Sequence, residues 1–220
     1  MIYVIIPTLN VSGTVGDLLS ELQTAACQLV VSDGLSDDET VSVAIGKGAQ
    51  IALGYKGRGS QLRRGADLAQ SADWLLFLHA DTTLPKGWYH TLEDHVGTHP
   101  HKAAYFGLRY DHPGLSARIV EAFVRLRNWA WALPYGDQGL FISRDLYDEI
   151  GGYRDMPLFE DVDIIERIGR RKLRKLPQSV VSSCEKYKRD GFLRRGWRNF
   201  RLLRRYKSGE TIDNLLRAYT

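Results

Sequence analysis

Cysteine is nearly absent from this chain: Cys27 and Cys184 are the two in 220 residues. So sparse a pair excludes a disulfide-built scaffold and points to a reducing compartment. Equally missing is an uncharged apolar run of the ~18 residues that a spanning helix needs. The apolar run near the amino terminus, Ile2–Ile6, has strand length and neither a basic leader nor a cleavage site, so no export signal is expected. The expected location is cytoplasmic, with peripheral contact at the inner face of a membrane left open. Low-complexity tracts, internal repeats and linkers are lacking too, which argues for a single domain over 1–220. Charge excess is also small. Lys+Arg number 30 against 26 Asp+Glu, a net +4, and that does not demand a nucleic-acid partner.

What is there can bury a full core, since 44% of the residues are hydrophobic. Charge is segregated along the chain. Ten basic residues stand against the single acid Asp190 between Lys186 and Lys207, whereas acids cluster at Asp33, Asp37, Asp38 and Glu39. Within the basic segment Leu193, Trp197, Phe200 and Leu203 recur at near-helical spacing. Two readings stay open: a helix that docks its aromatic stripe into the core, or a surface for anionic lipid or a phosphorylated acceptor.

Short β-rich runs alternate with helical patterns in the first half, which predicts βαβ units and a mostly parallel sheet. The strands are placed at Ile2–Ile6, Gln28–Ser32, Gln50–Leu53 and Trp74–His79. Val15, Leu18, Leu19, Leu22 and Ala26 mark the first helix, and Leu62, Ala66 and Ala69 another. The second half reads as an extended run Ala103–Tyr110, a helix Leu115–Trp131 and a strand Leu140–Ser143. On that helix the stripe Ile119, Phe123, Leu126 and Ala130, with Trp129 and Trp131 nearby, is expected to face the core, with contact of the tryptophans to a lipid or a sugar face left open.

Open parallel sheets bind ligands at the carboxyl ends of their strands, so those loops are where chemistry is sought. The first strand ends in Pro7-Thr8-Leu9-Asn10, where proline is expected to stop the ladder. The second ends at Asp33, ahead of a turn glycine and too early to cap the next helix; Ser36 or Asp38 is the expected cap. Asp33 can therefore accept a base-edge proton from a nucleotide. Gly57-Arg58-Gly59 permits close backbone approach just before a helix N-terminus, a place for a diphosphate helped by Arg58.

The continuously apolar run Trp74–Leu78 reads as a central strand and runs straight into His79-Ala80-Asp81. Alternation along a strand puts His79 and Asp81 on one side, a pair suited to a ribose or to a divalent cation, Mg²⁺ or Mn²⁺ in preference to zinc. Phe159-Glu160-Asp161 opens a helix. Asp161 shares the inward face of Ile164, Ile165 and Ile168, whereas Asp163 is turned away and, like Glu160, is explained by the helix dipole. An ionised acid held there can act as a general base. Asp137 and Gln138, ahead of Leu140, either orient an acceptor and close over phosphates or simply form a turn.

Taken in order, Pro7-Thr8-Leu9-Asn10, Asp33-Gly34-Leu35-Ser36, Leu78-His79-Ala80-Asp81 and Glu160-Asp161 resemble glycosyltransferase family 2. Gly57-Arg58-Gly59, Gly136-Asp137-Gln138-Gly139-Leu140-Phe141 and Gly151-Gly152-Tyr153 look like its small anchor-free subgroup known as radical-SAM/selenodomain-associated. The resemblance implies a GT-A-like three-layer α/β/α fold, with a nucleotide-sugar-binding half over about 1–110 and an acceptor-side half over about 111–220. It further implies inverting transfer from a UDP- or GDP-sugar to an acceptor hydroxyl, and it allows that acceptor to be lipid-linked. Asp33 then meets the base, Asp81 and a divalent cation meet the diphosphate, and Glu160-Asp161 form the catalytic pair. His79 stands where the wider family usually has an acid, which leaves its role open between ribose and metal. Val11 and Leu35 replace residues that are commonly acidic or small, and the Gln-x-x-Arg-Trp signature of processive enzymes is absent, so polymer synthesis is not implied. A nucleotidyltransferase would want a glycine-rich first loop that Pro7–Asn10 does not supply. Two rival functions without catalysis remain open: an inactive nucleotide-sugar binder, and an RNA binder using the arginine-rich tail.

Overall fold

The computed structural model describes residues 1–183 and 191–219. Its first half runs β1 (Ile2–Thr8), α1 (Ser12–Leu22), β2 (Cys27–Asp33), α2 (Thr40–Gly46), β3 (Gln50–Leu53), α3 (Arg58–Leu68) and β4 (Trp74–Phe77). Then come β5 (Thr82–Thr83), α4 (Trp88–Thr98), β6 (Ala103–Tyr110) and α5 (Leu115–Trp131). The chain continues with β7 (Leu140–Ser143), α6 (Arg144–Glu149), α7 (Glu160–Ile168), β8 (Leu173–Ser182), α8 (Phe192–Lys207) and α9 (Ile212–Tyr219). Short 3-10 turns occupy Gly136–Gln138 and Arg170–Lys172.

The strands form one sheet in the order β3-β2-β1-β4-β7-β6-β8-β5. Pairing is parallel through β3, β2, β1 and β4 and between β6 and β8. It is antiparallel where β7 joins β4 to β6 and where β5 meets β8. The mostly parallel α/β expectation holds, and the sheet runs on into the second half.

Alternation along the strands sorts the core into two layers. Ile2, Val4 and Ile6 of β1 and Trp74 and Leu76 of β4 pack with α1, α4 and the inner face of α5. Tyr3 and Ile5, with Leu75 and Phe77, pack on the other side with α3, α6, α7 and the carboxyl-terminal helices. Every side chain of β4 is buried, as a strand covered on both faces requires.

Four expectations need correction. Pro7 does not stop the ladder: β1 pairs with β2 through Thr8↔Asp33. The carbonyl of Ile5 accepts from Leu78 on the β4 side, so by alternation Pro7 also faces β4, beyond the last paired residue, where no N–H is required. The fourth strand ends at Phe77, which leaves His79 in the turn that follows.

On α5 the buried stripe is Ala117, Val120, Glu121, Val124 and Asn128, while Ile119, Phe123, Leu126, Trp129 and Trp131 lie on the surface. Similarly, α8 docks through Leu202 and Leu203 and leaves Trp197 and Phe200 exposed; the side chain of Leu193 falls outside the described residues, as do Lys186 and Cys184. Cys27 is half-buried, and burial pushes its thiol up to about 11. Among the described residues no helix is long and apolar enough to cross a membrane.

Candidate active-site cleft

Because β1, β2 and β4 are parallel, their carboxyl ends share one rim, and hydrogen bonds tie the loops there together. Thr8 Oγ1 donates to Asp33 Oδ2 at 2.7 Å. Ser36 donates to the same carboxylate through its N–H (2.7 Å) and its hydroxyl (2.6 Å). Asn10, in the left-handed region at φ 52°, donates its N–H to Ser36 Oγ and accepts from the N–H of Asp37. From α3, the Gln61 side-chain amide donates to the carbonyls of Thr8 and Ser32 at 2.8 and 2.9 Å.

Asp33 is fully buried in this arrangement and holds the loop together. Leu9 and Asn10 are exposed beside it. The expected caps do not close α2 in the usual way. Asp38 accepts instead from Thr40 at the first helical position and from the N–H of Ser12, linking the starts of α2 and α1.

The second cluster lies across the rim, where α3, the turn after β4, the turn before β7 and the start of α7 converge. Arg58 Nε stands 3.0 Å from Glu160 Oε1. Gly136 donates its N–H to Asp161 Oδ2 at 2.9 Å, and Val162 donates to Oδ1 at 2.8 Å. A methyl group on Gly136 would lie 2.7 Å from a terminal nitrogen of Arg58 and 2.9 Å from His79 Nε2, so the three residues meet at one point and a side chain there would displace Arg58 and His79. Gly59 is required for a similar reason, since a side chain would collide with the backbone carbonyls of Arg154 and Met156.

Phe159, just ahead of Glu160, is held at φ 63°. Its ring stacks on Tyr206 of α8 with centroids 4.7 Å apart. The interior space bounded by Arg58, Tyr153, Glu160 and Asp161 is about 10 Å³, room for one water at most.

The electrostatics of this cleft are acidic. Asp137 is half-buried with its Oδ1 shut away from solvent, and among the described residues that oxygen has no hydrogen-bond partner. Burial pushes its carboxyl up to about 6; Arg127 and Arg58 oppose the rise, while Asp161 and Asp81 add to it. Glu160 is pushed up to about 7, chiefly by burial, against the pull of Arg58 and with a further push from Asp161. Asp137 thus senses both Asp161 and Asp81 across the cleft. Asp81 itself is exposed and His79 half-buried, with Leu78 and Ala80 buried; His79 and Asp81 both lie in the turn beyond β4, so turn geometry and not strand alternation sets their directions.

One expected site residue, Gln138, and one residue read as helix-dipole compensation, Asp163, are placed differently from expectation. Gln138 is fully buried: its oxygen accepts from Asn128 (3.0 Å) and Arg127 (3.1 Å), and its nitrogen donates to the Phe106 carbonyl (2.9 Å). That leaves it no group to offer an acceptor, so its work is to fix the turn that carries Asp137. Asp163 is not turned to solvent. It is buried between Arg154 (2.8 Å) and Arg167 (2.6 Å), because the side of α7 opposite Asp161 is covered as well. Arg127, over the Tyr135 ring at 3.4 Å, and Asn128 join the site although no motif in the sequence marks them.

A divalent cation fits this cleft in one particular way. No group of three His, Cys, Asp or Glu side chains among the described residues forms a ready-made cage. The cleft nonetheless gathers carboxylates that repel one another around an unpartnered buried oxygen. Such a donor set suits an oxygen-preferring ion that takes one or two protein ligands and completes its shell with phosphate oxygens.

Comparison with known proteins agrees with this fold. The family model described as glycosyl transferase family 2 matches residues 3–154. The fold is similar to mannosyl-3-phosphoglycerate synthase from Rubrobacter xylanophilus, with a TM-score of 0.62 at 18% identity over 96% of this chain and 76% of that one. It is also similar to glucosyl-3-phosphoglycerate synthase from Mycobacterium tuberculosis in complex with Mn²⁺, uridine-diphosphate and glucosyl-3-phosphoglycerate. There the TM-score is 0.55 at 22% identity, over 83% of this chain and 70% of that one. No curated protein matches the chain.

Proposed function

This chain belongs to glycosyl transferase family 2, and from that membership and the acidic cleft we propose that it moves a sugar, with inversion, from a nucleoside-diphosphate donor to an acceptor hydroxyl. The observation that carries the reading is the convergence of Asp161 with Asp137 and Asp81 from three separate segments at the carboxyl rim of the parallel strands. An open α/β sheet binds nucleotides at that rim. The half over about 1–110 supplies the donor side; the half over about 111–220 supplies the base and the acceptor side.

Asp161 is the proposed general base. Its carboxylate is oriented by the N–H groups of Gly136 and Val162, and it sits in the first turn of α7. It takes the proton from the acceptor hydroxyl as that oxygen bonds to the anomeric carbon. The bond from that carbon to the donor phosphate breaks, and its electron pair leaves on the nucleoside diphosphate. Glu160 holds Arg58 beside the cleft, and the small volume left there means this pair shifts to admit a donor. Asp81, with His79 as neighbour, would hold Mg²⁺ or Mn²⁺ against the diphosphate. That ion would neutralise charge developing on the leaving group. The Mn²⁺ and uridine-diphosphate in the glucosyl-3-phosphoglycerate synthase complex support this choice of donor and metal. Asp33, with Thr8 and Asn10, lies on the proposed nucleoside side, where the base edge meets the Pro7–Asn10 loop.

The test is turnover. The purified chain is incubated with a panel of UDP- and GDP-sugars and Mn²⁺ or Mg²⁺, and release of nucleoside diphosphate is followed with and without candidate hydroxyl acceptors, lipid-linked and phosphorylated ones included. Metal-dependent release from one donor is expected. No release from any donor would remove the transferase reading and leave a binding protein.

A further inference from the structure

The surface of α5 is unusual for a helix of a globular domain. One face is committed to the core, yet the opposite face carries Leu115, Ile119, Phe123, Leu126 and Trp129, one large apolar residue per turn along its whole length, all solvent-exposed. Phe123 is 63% exposed and Trp129 74%. Contiguous apolar surface of this kind marks a contact site. Beside α5 packs α8, whose outer face shows the same mixture in another proportion. Trp197 and Phe200 lie side by side, ring centroids 5.7 Å apart, among Arg194, Arg201 and Arg204.

Charge identifies the partner. Over Phe192–Lys207 there are seven basic residues and no acid; Arg195 is buried and Arg205 and Lys207 pair with Glu210 and Glu166, while Arg194, Arg201 and Arg204 are exposed on the outer face. On α5 the single acid, Glu121, is buried and paired with Arg118 at 2.7 Å, so it offsets nothing outside. Between α8 and α9 runs a groove of about 480 Å³ lined by arginines and the edge of Trp197. We propose that the exposed apolar face of α5 and the arginine-rich outer face of α8 together form a docking surface for an anionic lipid bilayer, with lipid phosphates in the groove.

Aromatic and aliphatic side chains seat at the headgroup boundary while arginines pair with phosphates, the combination by which amphipathic helices lie on membranes without crossing them. A second copy of the chain is a poorer occupant. A two-fold contact through this face would set one arginine-rich helix near another, and like charges so placed repel. The surface also has a route to the cleft. Tyr206 of α8 stacks on Phe159, the residue before Glu160 and Asp161, and Arg127 and Asn128 of α5 hold the turn that carries Asp137. The helices of the docking surface therefore also hold elements that carry the acidic cleft. The proposal is independent of the transfer reaction, because vesicle binding needs no turnover.

Flotation of the full chain with vesicles of phosphatidylcholine, with and without phosphatidylglycerol, tests it. Binding is expected to the anionic vesicles at low salt, to weaken at high salt, and to fall at least about tenfold on plain phosphatidylcholine. Phe123→Ser with Trp129→Ser, and separately Arg194→Glu with Arg201→Glu, alter exposed side chains and leave the fold intact. Each pair is expected to lower binding by about tenfold or more. Failure to float with anionic vesicles at low salt would overturn the proposal. So would binding that ignores the Phe123 and Trp129 changes, or a lipid-free dimer that buries both tryptophans.

Discussion

Gly136 and Asp161, 25 residues apart, are joined by a 2.9 Å hydrogen bond from the backbone N–H of one to Oδ2 of the other. The bond ties the start of α7 to the turn that carries Asp137 and presses both against Arg58 and His79. A carboxylate held by backbone donors keeps one orientation, which a general base requires before its substrate arrives.

Asp161→Asn keeps the size and one acceptor oxygen but cannot take a proton. Turnover is expected to fall by about 10²–10⁴-fold, while donor affinity, read by calorimetry, changes by less than about threefold. Loss of both in equal measure would move Asp161 from the reaction to the binding site.

Glu160 gives a pH signature. Its raised carboxyl binds a proton in the folded state between about pH 4.5 and 7, where the unfolded chain has released it. Its contribution to stability therefore declines as pH rises through that window. Glu160→Gln removes the titration. Relative to the wild type, the variant should gain about 1–3 kcal/mol between pH 5 and pH 8 in urea unfolding. A pH-independent difference would mean that Glu160 ionises normally.

At Gly59 a methyl group would meet the backbone of Arg154 and Met156, which cannot swing aside like a flexible side chain. Gly59→Ala should cost about 1–3 kcal/mol in urea unfolding, as overpacking does. Stability unchanged by this substitution would show that the 154–156 segment gives way freely.

Gln138→Leu would leave Arg127, Asn128 and the Phe106 carbonyl without their shared partner. About 1–3 kcal/mol of stability should be lost. Acceptor KM should change less than kcat, because the residue acts by holding Asp137. A selective rise in acceptor KM would restore Gln138 to the acceptor site.

Much of this was legible in the sequence where periodicity is strong. The strand Ala103–Tyr110, the helix Leu115–Trp131 and the strand Leu140–Ser143 lie where the pattern puts them. The face of α5 was not legible, because two stripes at helical spacing compete. The one with the larger residues, Ile119, Phe123 and Leu126, outweighs Ala117, Val120, Val124 and Asn128 in any reading by hydrophobicity. Small residues win the inner face because the helix lies close on the sheet, a tertiary fact. Pairing of β5 with β8 joins residues about a hundred positions apart, and no local signal announces it. Asp33 shows the same limit, since its position at the end of β2 was evident but the closing bonds from Thr8 and Ser36 were not.

In the proposed reaction Asp81 and Asp161 flank one nucleotide-diphosphate site and divide its work. Calorimetric titration of UDP and GDP in the presence and absence of Mn²⁺, into wild type, Asp81→Ala and Asp161→Asn, tests it most directly. Mn²⁺-dependent binding is expected in the wild type and in Asp161→Asn, and at least about tenfold weaker binding in Asp81→Ala. Binding that is indifferent to Mn²⁺ and untouched by Asp81→Ala would contradict it.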